Sequence, residues 1–112
     1  MPQDFDTQRA ETVAAFNALQ AEHGLPEVAD VDYFFVPTHD GADWRALAEE
    51  LSRSEYSCTY VSADDAEDGA PYLAATLSDQ MVSATGIWIG EEVATRAALK
   101  HGFSPDGWGL ES

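Results

Sequence analysis

Most side chains of this 112-residue chain that could bind or react are carboxylates, and the densest group of them is Asp64-Asp65-Ala66-Glu67-Asp68-Gly69. Oxygen ligands spaced by two residues, with glycine at the sixth position, are how an EF-hand calcium loop begins. Counted from Asp64, the third position is Ala66 and the twelfth is Ala75, so two ligands are missing, the bidentate carboxylate among them. The segment therefore reads as a solvated, self-repelling hairpin tip. His23, His39 and His101 show neither His-x-His nor HExxH spacing. Two of them stand at helix stops, where the negative end of the helix dipole already suits a basic residue. His39 and Asp40 are neighbours in a turn with no nucleophile beside them. Cys58 is the single cysteine, placed in a strand pattern as a small apolar residue, so no intramolecular disulfide and no cysteine zinc site is possible. Glu49-Glu50 and Glu91-Glu92 are adjacent on helices and diverge, unlike the converging acids of a glycosidase. Nucleophile-elbow, Walker and dinucleotide signatures are lacking. No catalytic residue, cofactor or metal is expected.

The elements that would position these groups follow from periodicity. Asp4, Asp6 and Thr7 offer N-caps ahead of Val13, Phe16 and Leu19, which mark the apolar face of a first helix running to about His23. Glu22-His23-Gly24-Leu25 stops it with a left-handed glycine, and Lys100-His101-Gly102-Phe103 repeats the ending. Val31 to Val36 (VDYFFV), closed by Pro37, predicts a central strand. After a turn at residues 38–41, Trp44, Leu47, Ala48 and Leu51 predict a second helix capped by Asp40. Tyr56 to Ser62 and Tyr72 to Leu77 predict a hairpin joined by the acidic loop. Between Gly86 and His101, the four-residue recurrence of Ile89, Val93 and Ala97 predicts a third helix with Glu91, Glu92 and Arg96 on its outer side. Phe103 to Gly109 predicts a short edge strand. The expected architecture is α+β: a ferredoxin-like βαββαβ sandwich, with a four-stranded antiparallel sheet and an extra N-terminal helix, in one domain over residues 1–112. Trp44 belongs to this core, and Trp88 between Ile87 and Ile89 needs the first helix to cover it. Trp108, flanked by glycines, either pins the last strand or anchors a partner.

Composition narrows the function. Five Lys and Arg face 21 Asp and Glu, a formal charge of -16, which argues against direct binding to nucleic acid or an anionic membrane and for a neutral or basic partner. At 45% hydrophobic residues the chain can still build a core. No early run has signal-peptide or membrane-span length, and the lone cysteine fits a reducing cytoplasm.

A polar helix around Arg9-Ala10-Glu11-Thr12, the strand VDYFFV, the helix ADWRALAEEL and the ending SPDGWG occur in an order that resembles the ribonuclease E inhibitor family, also called regulator of ribonuclease activity B. The likeness runs from about Arg9 to Gly109, and its most specific mark is Asp106-Gly107-Trp108. The resemblance implies a non-enzymatic acidic α+β protein that binds an endoribonuclease E-like enzyme and alters RNA cleavage. Such an enzyme must present basic surface to RNA. The expected steering charges are Asp64, Asp65, Glu67 and Asp68, with Glu49 and Glu50 next. The alternative is a small ferredoxin-like module that binds a small ligand or a divalent metal ion.

Overall fold

The computed structural model describes residues 4–67 and 69–111, without the side chain of Glu111. The elements run α1 (Phe5–His23), β1 (Val28–Pro37), α2 (Trp44–Arg53), β2 (Ser57–Val61), β3 (Tyr72–Met81), α3 (Ala84–Lys100) and β4 (Phe103–Glu111). The strands form one antiparallel sheet in the order β2-β3-β1-β4. The predicted α+β class, with three helices and four antiparallel strands, is therefore the observed one.

The VDYFFV segment lies in a central strand, β1, paired along one edge with β3 and along the other with β4. Val31, Tyr33 and Phe35 are buried on the side where α2 and α3 pack, with Leu47, Leu51, Leu73, Ile87 and Phe103 completing the core. Asp32 and Phe34 alternate onto the other face, paired with Thr76 and Ala74 of β3, and no helix packs there among the described residues. Thr76 donates its hydroxyl to the Asp32 carboxylate, which lets an acid sit in the middle of the sheet. β3 runs four residues beyond its predicted end. It carries a bulge at residues 78–79, where the Asp79 amide donates to the Asp30 carboxylate at 2.9 Å.

Caps decide the helix limits. Asp4 caps α1 by accepting from the Thr7 amide and hydroxyl, and Gly24, at φ 63°, ends it. The cap of α2 is Asp43, not the expected Asp40: its carboxylate accepts from the Ala46 amide at 3.0 Å, whereas Asp40 lies in an exposed turn. In that turn His39 Nδ1 accepts from the Gly41 amide, so the imidazole shapes the loop. Ser83 caps α3 at its start; both Gly endings have positive φ, but Gly24 is itself the C-cap of α1, whereas His101 caps α3 and Gly102, at φ 85°, follows it.

Two helix faces differ from expectation. The buried residues of α1 are Gln8 and Thr12, while Val13 and Phe16 are half-buried and Leu19 is exposed. On α3, Ile89 and Val93 are 57% and 44% exposed, and Glu91, expected outside, is 4% exposed. The stripe that packs is Ile87, Glu91, Ala94 and Ala98, spaced by four, three and four residues. Ile87 and Thr95 are buried beside these alanines, so the inward face is set by what α3 packs against and not by the apolar recurrence of Ile89 and Val93. Trp88 is covered as required, by the ring of Phe5 at 6.4 Å between centroids. Trp44 packs edge-on against Phe103 and Tyr60, both at 4.7 Å.

Candidate protein-interaction site

Asp106, Gly107 and Trp108 occupy the one irregular point of β4. Between the pairs Tyr33 with Trp108 and Phe35 with Pro105, β1 contributes Phe34 alone while β4 contributes both Asp106 and Gly107, a β-bulge. Gly107 has φ 105°, and a Cβ placed there would meet nothing within 4 Å. Backbone angle rather than space is therefore what calls for glycine. On a regular strand, residues 106 and 108 would share a face. The bulge separates them: Asp106 lines a hollow on the open face of the sheet, and Trp108 lines a cleft on the helix side.

The hollow, about 460 Å³, is formed by Phe34, Asp65, Glu67, Tyr72 and Asp106. Phe34 and Tyr72 meet edge to face with centroids 5.7 Å apart, and Gly109 leaves room for the Phe34 ring, which a Cβ there would touch at 3.7 Å. Asp65 accepts from the Ser62 hydroxyl at 3.2 Å, which ties the acidic loop to the end of β2. Asp64 is exposed in the same turn, and Asp68 lies outside the described residues.

The structure thus brings Asp65 and Glu67 together with the Asp-Gly-Trp segment but places Glu49 and Glu50 elsewhere. Both are on α2, in the helix layer. Glu49 pairs with Arg45 at 3.2 Å, and Glu50 lies 3.0 Å from His101 Nε2 and 3.1 Å from Lys100 Nζ. The His101 and then the Lys100 contact hold the Glu50 carboxyl below its ordinary range.

The cleft, about 630 Å³, runs between α1 and β4. Glu91 is part of its lining, with Glu11, Thr12, Leu19, Pro105 and Trp108 around it. Thr12 donates its hydroxyl to Glu91, and Gln8 donates to the Thr95 hydroxyl at 3.1 Å. Burial pushes the Glu91 carboxyl up, the hydrogen bonds from Thr12 and Gln8 oppose this, and nearby Glu11 adds to the rise. This polar seam escapes a periodicity search for apolar residues. Its trace in the sequence is the pair of four-residue spacings, Gln8 with Thr12 and Glu91 with Thr95, on two helices that meet.

The thiol of Cys58 is half-buried and pushed up by burial, which disfavours a reactive thiolate. Among the described residues, no group of three or more His, Cys, Asp or Glu side chains is arranged to hold a metal ion, and no helix is long and apolar enough to cross a membrane.

No curated protein sequence matches the chain significantly. The family model described as regulator of ribonuclease activity B does match, over residues 9–110, a span that takes in α1 from its second turn, β1 to β3 and β4 up to Leu110, with the bulged Asp106-Gly107-Trp108 segment. On that match, which covers nearly the full length, the chain belongs to the regulator of ribonuclease activity B family.

Proposed function

We propose that this chain binds an endoribonuclease E-like enzyme and alters its cleavage of RNA by surface contact, with no bond made or broken by its own side chains. The observation that carries this reading is the hollow on the open sheet face, where the bulge sets Asp106 beside Asp65 and Glu67 around Phe34 and Tyr72. An enzyme that cuts RNA needs cationic surface for phosphates. Carboxylates around aromatic rings offer such a surface charge pairing and apolar contact at once. The formal charge of -16 adds long-range attraction, which speeds encounter and weakens as salt screens it. Asp64, exposed in the same turn, acts as a steering charge, and Asp68, next to Glu67 in the sequence, is assigned the same role on its charge alone. Glu49 and Glu50 stand on α2, away from the hollow, and would contribute only to the long-range attraction.

The element order after α1 and the sheet order β2-β3-β1-β4 support a ferredoxin-like sandwich in one domain, with its helices on one face and the other free for a partner. Regulation of this kind belongs where RNA is turned over, in a reducing cytoplasm that suits a single free cysteine.

The test is RNA cleavage by an endoribonuclease E-like enzyme, with this chain titrated in at low and at high salt. The wild type is expected to slow or redirect cleavage, more strongly at low salt. The triple variant Asp65→Asn, Glu67→Gln, Asp106→Asn is expected to lose most of the effect while Glu49→Gln keeps it. Unchanged cleavage at low salt, with no complex detected, refutes the reading.

A further inference from the structure

We propose that the cleft between α1 and β4 is a receptor for an arginine side chain presented by a protein segment. The inference rests on reading the chain as a protein-binding one and names a second contact for it, on the opposite side of the bulge from the acidic hollow.

Charge is the first argument. Glu91 is 4% exposed and lines the cleft, yet no Lys or Arg lines it and no ion pair reaches Glu91 among the described residues. A carboxylate that deep ordinarily has a cation beside it. Thr12 and Gln8 supply hydrogen bonds but no charge, and Glu11 adds a second negative group close enough to disfavour ionisation of Glu91. Asp4 also lines the same cleft. Arg96 of α3 is engaged elsewhere: its guanidinium is 2.8 Å from Glu92 and 4.3 Å from the centroid of the Phe5 ring.

Shape and chemistry select arginine. At about 630 Å³ the cleft holds a long side chain and part of its backbone, not only an ion. Trp108 and Pro105 line it, and a flat guanidinium can stack on an aromatic face while its fork donates to a carboxylate. An ammonium offers only a point charge. A carboxylate has roughly four acceptor positions, so Glu91 can keep Thr12 and Gln8 and still accept a guanidinium. The bulge at Gly107 gives the Asp-Gly-Trp segment a second consequence, since it is what turns Trp108 toward this cleft.

The test is a titration of the full chain with acetyl-Gly-Arg-Gly-amide, with its citrulline counterpart and with spermidine, followed by NMR at low salt. The arginine peptide is expected to bind about tenfold more tightly than the citrulline peptide and to shift the Trp108 indole N–H and the Thr12 amide. Glu91→Gln is expected to weaken it about tenfold with the folded spectrum retained. Should that variant fail to fold, exposed Glu11→Gln is expected to weaken binding several-fold, and wild-type affinity there overturns the proposal. So do equal binding of the two peptides, shifts confined to other residues, or a folded Glu91→Gln chain that binds as wild type. Spermidine binding as tightly with the same shifts removes the assignment to a protein side chain. Peptide binding by a chain that leaves the ribonuclease unaffected keeps the cleft and ends the ribonuclease reading. Ribonuclease regulation that survives loss of peptide binding does the reverse.

Discussion

A carboxylate packed between two helices makes stability answer to pH. Burial raises the Glu91 pKa above its ordinary 4.5, so the folded chain holds that proton more tightly than the unfolded one. The contribution to stability is fully present below the unfolded value and is lost as pH rises through the folded value. Glutamine keeps an acceptor for Thr12 without the charge. From about pH 7 to about pH 5, the urea midpoint of the wild type is therefore expected to rise relative to that of Glu91→Gln, and a difference independent of pH would contradict this account. A few ångströms away, Gly90 admits two tyrosines against the backbone of α3. Tyr33 donates to the Ile87 carbonyl at 2.9 Å and Tyr56 to the Gly90 carbonyl at 2.6 Å. A Cβ on Gly90 would collide with the Tyr33 hydroxyl. Overpacking a core costs up to about 3 kcal/mol and the helix preference of alanine returns about 1, so Gly90→Ala is expected to lose about 2 kcal/mol in urea unfolding.

At the scale of elements, β4 is an edge strand whose bulge decides what each side of the molecule displays. Gly107→Ala meets no steric obstacle, so its cost is that of holding alanine at φ 105°, of order 1–3 kcal/mol, unless the bulge relaxes. Relaxation would return residues 106 and 108 to one face, breaking either the acidic hollow or the Trp108 wall. The variant is thus expected to lose more ribonuclease regulation than Asp43→Ala, which removes the α2 cap at about 1 kcal/mol and leaves both surfaces intact. Equal activity losses at matched stability would remove the bulge from the functional account. The helices differ in kind as well. α2 packs through Leu47 and Leu51, but α1 adds the polar pair Gln8 and Thr12 to the apolar contacts of Phe5 and Phe16, so its attachment depends on hydrogen-bond geometry as well as on apolar area.

For the whole molecule, the governing quantity is the charge of -16. The described ion pairs are few and mostly at the surface, so self-repulsion is left for solvent and salt to moderate. Raising sodium chloride from about 20 mM to about 200 mM shortens the screening length and is expected to raise Tm by a few degrees. Association with a cationic partner is expected to slow over the same range, because the two effects share one cause. A Tm that falls with salt would show that specific pairs outweigh the net repulsion.

The sequence by itself determined the class of fold and the order of elements, because VDYFFV, the Trp44 to Leu51 periodicity and the two Gly endings are local signals that no distant contact reverses. It also carried the Asp-Gly-Trp mark. Other features waited for tertiary structure. Asp43 rather than Asp40 caps α2 because the turn before it is longer than its composition shows. Glu91 is buried, and Ile89 and Val93 exposed, because the face a helix presents is settled by what it packs against, and α3 meets α1 and the sheet through Ile87, Glu91, Ala94 and Ala98. The meeting of Asp65, Glu67 and Asp106 likewise depends on strand order and on one extra residue in β4. Periodicity reads what is near along the chain, whereas these pairings are set by distances across it.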